Sequence, residues 1–237
     1  MPVWTANGTL ERTSISRITS EREYIASFGS VLPICDIKAY RIPFQFSIGS
    51  SIYAQLLKPP GHLEVLTSDF SADLLLDAKL NRSLVARFGI GHTSHHFMDD
   101  AFEISGYKMS LNYVKDFYQL AMDYTIDGLK THIYGGAFYL YHFLVPNNIS
   151  GAWMLEIGEE SNLYSLNENC AFYIAEDLKF RSEFNYGTTN NLQLGFKVIR
   201  GNHEGRIAFN YRTGFEERGQ FYNRKNDFTS LSLYFDF

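Results

Sequence analysis

Between Ile42 and Leu56 the side chains alternate with a period of two. Ile42, Phe44, Phe46, Ile48, Ile52, Ala54 and Leu56 share one row with Ser50. Pro43, Gln45, Ser47, Gly49, Ser51, Tyr53 and Gln55 form the other, which is small or polar. Successive residues of a strand point to opposite faces, so this segment folds as a strand with one apolar face and one wet face. The pattern recurs. Phe70, Ala72, Leu74, Leu76, Ala78 and Leu80 oppose Asp69, Ser71, Asp73, Asp77 and Lys79. Leu84, Ala86, Phe88 and Ile90 oppose Arg87, Gly89 and Gly91. Val114, Tyr118, Leu120, Met122, Tyr124 and Ile126 oppose Lys115, Gln119 and Asp123. Further on, Leu192, Leu194, Phe196 and Val198 alternate with Gln193, Gly195 and Lys197, and Ile207, Phe209 and Tyr211 with Arg206, Ala208, Asn210 and Arg212. The segments from about Lys130 to Leu144 and from about Ala171 to Lys179 alternate less cleanly.

A soluble sandwich would turn the polar rows to bulk water, whereas a closed barrel turns them to a wet lumen, where Arg87 and the acids of the preceding strand would pair. The 16 Tyr, 20 Phe and only 6 Pro suit pleated surfaces. No apolar run is long enough for a transmembrane helix, which leaves a membrane barrel open because barrels cross by alternation. The last strand, Leu231 to Phe237, is amphipathic and stops on Phe, which resembles the C-terminal signature of outer-membrane barrels. The expected fold is therefore all-β: an antiparallel up-and-down transmembrane β-barrel.

About eleven segments are visible, the first near Glu23 to Ile34. Short connections (Asn81-Arg82, the hairpin turn Asp127-Gly128, and Gly201 to Gly205) fall on one side, and the long stretches Met98 to Tyr107 and Glu216 to Asp227 on the other. Lys58-Pro59-Pro60-Gly61 reads as a turn. Counting back from a final strand that descends to the periplasm requires one strand before Glu23, which Thr9 to Ile18 can supply. The reading is 12 strands, with 10 as the alternative: residues 1–19 an N-terminal arm or weak first strand, residues 20–237 the barrel. Met1-Pro2-Val3-Trp4 has neither a charged n-region nor an apolar h-region, so a barrel of this kind is expected to have lost its signal peptide. Trp4 and Trp153 are expected as interface anchors. Cys35 and Cys170 have no metal-ligand spacing and read as two free thiols. A net charge of -5 is too mild to imply a nucleic-acid or basic membrane-surface binder, so no nucleic acid is expected as a partner, and no cofactor motif is present.

One constellation stands out. After Ile90 come Gly91-His92-Thr93-Ser94-His95-His96-Phe97-Met98-Asp99-Asp100. His92, Ser94 and His96 share a strand face with Phe88 and Ile90, the outward one, at the extracellular end. A serine hydroxyl becomes a useful nucleophile when a base takes its proton, and an acid orients that base. His92 and Ser94 are the candidate base and nucleophile, Glu103 the candidate acid with Asp99 and Asp100 as rivals, and His96, Asp99 and Asp100 candidate substrate contacts. Two other readings stand beside this one: polar groups at the top of a membrane strand above a solvated loop, and a metal site from His92, His96 and Asp99. His132 and His142, ten apart on one strand, read as interface or lumen residues.

The run His92 to Asp100 resembles the signature His-x-Ser-Ser-His-x-x-Asp-Glu of an uncharacterised family of Gram-negative envelope proteins. His92, Ser94, His96 and Asp99 match it, whereas His95 stands for Ser and Asp100 for Glu. Tyr134-Gly135-Gly136, Ala175-Glu176-Asp177 and Gly219-Gln220-Phe221-Tyr222 are similar to further fragments, in the family's order. A looser similarity links the His-x-Ser pair to the outer-membrane lipid A deacylase, which implies His92 as base and Ser94 as nucleophile toward an outer-leaflet lipid or lipopolysaccharide. The alternatives are a non-enzymatic structural barrel, a narrow channel or a subunit of an envelope protein complex, and a soluble calycin-like barrel.

Overall fold

The computed structural model describes residues 4–8, 12–19, 23–58, 62–105, 113–144, 152–217 and 219–236. Twelve antiparallel strands follow one another in chain order, and the last pairs with the first to close a barrel. They are β1 (Thr13–Ile18), β2 (Glu23–Ala39), β3 (Ile42–Leu57), β4 (Glu64–Lys79), β5 (Leu84–Phe97), β6 (Tyr113–Ile126), β7 (Thr131–Leu144), β8 (Ala152–Ser165), β9 (Cys170–Arg181), β10 (Gly187–Arg200), β11 (His203–Gly214) and β12 (Phe228–Asp236). A short helix, α1 (Asp99–Ser105), follows β5. Closure leaves no free sheet edge running the length of the wall, which is how a β-structure satisfies its backbone in lipid.

The alternating rows land as their chemistry demands. Phe70, Leu74 and Leu76 of β4 are exposed on the outer wall, while Asp69, Asp73 and Asp77 are buried inside. Arg87 of β5 meets Asp77 with Nε–Oδ1 at 2.6 Å and Nη2–Oδ2 at 2.8 Å, a bidentate pair. Buried charges require such partners, and the lumen supplies them repeatedly: Lys197 with Glu160, Arg206 with Asp236, and Lys179 with Glu217.

Two segments fill this interior. Trp4 stacks on Tyr134 with ring centroids 4.4 Å apart, Thr5 bonds Glu160 and Asn7 bonds Glu156. Arg12 donates to the carbonyls of Trp4 and Thr5, each at 2.6 Å. Trp4 is thus a lumen residue and not an interface anchor: with its ring on Tyr134 it lies 5% exposed. Trp153 does face outward, beside Tyr139. From the other side, the segment between β11 and β12 folds into the barrel: Glu216 meets Arg212 at 3.0 Å and Glu217 meets Lys179.

Two turns differ from expectation. Asp127 to Leu129 forms a 3-10 turn that ends on Lys130 at φ 50°, longer than a two-residue hairpin. Gly205 belongs to β11, so the turn before it shortens to Gly201-Asn202. Cys35 and Cys170 are free. Positions 59–61, 106–107 and 237, and the start of the expected first strand at Thr9, lie outside the described residues.

Candidate active site on the outer wall

β5 carries two different faces through its histidines. His92 and His96 are exposed on the outer wall, and His95 between them is buried in the lumen. Ser94 shares the outward row with His92 and is half-buried.

The register brings an unexpected partner to His92. Antiparallel pairing sets His92 opposite Asp116 of β6, and Asp116 opposite His142 of β7. The three side chains form one rung across three strands. Asp116 Oδ1 lies 2.6 Å from His92 Nδ1, and Asp116 Oδ2 lies 2.6 Å from His142 Nδ1. His142 reaches the rung because the ladder skips Tyr141: Asp116 pairs with His142, whereas Phe117 pairs with Leu140. The extra residue is a β-bulge, which re-aims side chains locally. It leaves Tyr141 and His142 both exposed on the outer wall.

A carboxylate on a lipid-facing wall is costly unless paired and hydrogen-bonded. Two imidazoles supply that pairing here. An Asp that accepts from Nδ1–H fixes the tautomer and leaves Nε2 of a neutral imidazole as the lone pair. His92 is thus held on a carboxylate, with a serine two residues along the same face. Ser94 Oγ makes no hydrogen bond to His92 in this structure. Tyr118 and Tyr141 pack together beside the rung, ring centroids 4.7 Å apart. His96 meets Phe70 edge-on at 5.7 Å.

Asp100, one of the expected acids, is engaged elsewhere. Asp99 and Asp100 open α1, and Asp100 Oδ2 accepts from the backbone N–H of Val65 at 2.9 Å, tying the helix to the start of β4. Glu103 belongs to α1, and its side chain lies outside the described residues. Asp116 was legible as an anomaly: it falls in the apolar row of Val114, Tyr118 and Leu120, where a charge needs a reason. Among the described residues no three His, Cys, Asp or Glu side chains are arranged to hold a metal ion, and the set His92, His96 and Asp99 is not gathered. His132 points inward, its Nδ1 3.7 Å from Asp123 Oδ1.

Among solved structures, the Salmonella typhi outer membrane phospholipase, a dimer with bound calcium, is similar over 96% of this chain and 92% of its own, at 11% identity and a TM-score of 0.59. The NanC porin is similar over 96% and 98%, at 12% identity and a TM-score of 0.49. The beta domain of the Bordetella autotransporter Brka follows, over 94% of each chain at 10% identity and a TM-score of 0.46. At such identities the first of these likenesses speaks to the fold alone, an outer-membrane type of barrel, and the other two carry no argument. No curated protein sequence matches the chain. The family described as protein of unknown function, DUF1207, matches residues 2–237, and the chain belongs to it.

Proposed function

We propose that this protein is an integral outer-membrane serine hydrolase that cleaves acyl esters of outer-leaflet lipids at its outer wall. The observation that carries the reading is the Asp116–His92 contact of 2.6 Å on the lipid-facing surface, with Ser94 two residues along the same face. Ser94 is the nucleophile, His92 the general base, and Asp116 the acid that orients His92. With substrate bound, Ser94 Oγ attacks the acyl carbonyl while His92 Nε2 takes its proton. The tetrahedral adduct then expels the lipid alcohol, which leaves with that proton. Water, deprotonated by His92, releases the fatty acid and restores Ser94. Apo catalytic hydrogen bonds are often open, so the missing Ser94–His92 bond is one that substrate binding must close. A lipid in the outer leaflet reaches Ser94 without leaving the membrane, provided that the long loops face outward. His96, on the same face, is a candidate lipid contact, whereas Asp100 has a structural tie to β4.

A closed structural barrel, alone or as a subunit of an envelope complex, is the second reading, favoured by the ion pairs and inserted segments that fill the lumen. The test is mass spectrometry of lipid A and phospholipids from outer membranes that hold the parent protein, Ser94→Ala or Asp116→Ala, each shown to be folded. The parent is expected to remove an acyl chain, Ser94→Ala to abolish the loss, and Asp116→Ala to slow it by about 10²–10⁴-fold. Identical lipid profiles from parent and Ser94→Ala would sink the hydrolase and leave the structural barrel.

A further inference from the structure

The lumen holds a cavity of about 150 Å³ whose lining includes Asp69 of β4, His95 of β5 and Lys115 of β6. The register sets Asp69 opposite His95, and Lys115 opposite Thr93 two residues along β5, so the three stand on adjacent strands. Lys115 is a half-buried cation. Among the described residues its ammonium forms no hydrogen bond or ion pair, and it rests over the ring of Tyr113 with Nζ 5.1 Å from the centroid. The carboxylates that attract it are engaged with other cations: Asp69 with His95 Nδ1 at 2.8 Å, Glu183 with Arg181 at 3.5 Å, and Glu217 with Lys179. Arg181, which repels it, donates to the carbonyls of Glu216 and Tyr222. A ring face is a poor substitute for an anion, and a cation drawn out of water calls for one.

Two acceptors line the same cavity. Asp69 Oδ1 and His95 Nε2 are buried without a hydrogen-bond partner, in residues 6% and 4% exposed. With Nδ1–H given to Asp69, Nε2 of a neutral imidazole is a lone pair. Lys115 and Asp69 thus attract one another but do not meet, and each keeps capacity for a further partner. Phe117, Phe138, Leu140 and Met154 add an apolar wall. We propose that this cavity binds a small zwitterion, an α-amino acid with a short apolar side chain. Lys115 takes the carboxylate, Asp69 Oδ1 and His95 Nε2 take the ammonium, and the side chain lies against the apolar wall. An apolar cavity of this volume accepts benzene, which sets the size of the side chain. Such a ligand satisfies both signs of charge and brings no net charge into the lumen. The site lies inside the barrel, so it does not depend on hydrolysis at the outer wall.

The experiment is equilibrium dialysis of the full chain, folded in detergent micelles, against radiolabelled L-leucine. Saturable retention of leucine is expected. Two competitors divide the zwitterion: 4-methylpentanoate keeps the carboxylate without the ammonium, and 3-methylbutylamine keeps the ammonium without the carboxylate. Each is expected to compete about 10–100-fold more weakly than unlabelled leucine, the cost of losing a hydrogen bond to a charged group. Lys115→Met, shown to be folded, is expected to weaken leucine by a similar factor and to leave the amine unaffected. No saturable retention of leucine at about 1 mM overturns the proposal. Competition by 4-methylpentanoate as strong as by leucine would make the cavity a site for an anion alone, and equally strong competition by the amine a site for a cation alone, and either result overturns it as well. These comparisons use the parent protein, so they decide the matter even where Lys115→Met does not fold.

Discussion

A methyl group on Gly219 would sit 1.9 Å from Cγ of His95. The backbone N–H of Gly219 lies between Asp69 Oδ2, at 3.3 Å, and His95 Nδ1, at 3.2 Å, and Gln220 donates to the carbonyl of His95 at 2.8 Å. Only a residue without a side chain can bring its backbone this close to the imidazole, and Gly219 does so where the inserted segment crosses the inner face of β5. Gly219→Ala is therefore expected to push the segment off His95 at a cost of about 1–3 kcal/mol, as overpacking does. Denaturant unfolding of the detergent-folded protein measures it. Unchanged stability would mean that the segment does not rest on His95. The same scale separates what could be read from what could not. His92 and Ser94 were legible because a period of two fixes their common face. The role of Asp116 was not, because pairing across two ladders had to choose its neighbours. Its position in an apolar row was the one trace left in the sequence.

At the scale of elements, the segment between β11 and β12 is tied down by charge. Burial by itself raises the carboxyl of Glu217, but Lys179 and Arg212 outweigh burial and bring it down to about 2. A depressed carboxyl stabilises the folded state above its ordinary value and loses that contribution as pH falls through the depressed one. Lowering pH from about 4 to about 2 is therefore expected to free this segment, seen as faster amide hydrogen exchange over residues 215–222 after correction for intrinsic rates. Glu217→Gln should exchange fast there already at neutral pH, and protection retained in that variant would show that the Lys179 contact is dispensable. β7 teaches the complementary lesson. Its alternation is uneven because the bulge at Tyr141 shifts the phase, so the irregularity that blurred the strand in sequence is what delivers His142 to Asp116.

At the scale of the whole molecule, inserted backbone and ion pairs crowd the lumen around a cavity lined by Asp69, Arg87, His95 and Lys115: Trp4 to Asn7 against Tyr134, Glu156 and Glu160, and Glu216 and Glu217 against Arg212 and Lys179. A barrel filled in this way is expected to carry no steady current in a planar bilayer. Deleting residues 1–8 takes Asn7 from Glu156 and Thr5 from Glu160, and should lower the unfolding temperature and admit ions. Porin-like conductance from the intact chain would mean that the inserted segments do not block the lumen, and would revive the channel reading.

By itself the sequence determined that this chain is a closed transmembrane barrel and which rows of its regular strands face lipid and which the lumen, and, through loop parity, it favoured twelve strands over ten. Those properties follow from a period of two and from turn lengths, both local. Tertiary structure alone decided that Asp116 joins His92 and His142, that Trp4 turns inward, and that Gly219 rests on His95. Each is a contact across strands or into the lumen, set by register, one bulge and the closure of the wall. Alternation tells a side chain which face to take but never which side chain it will meet there.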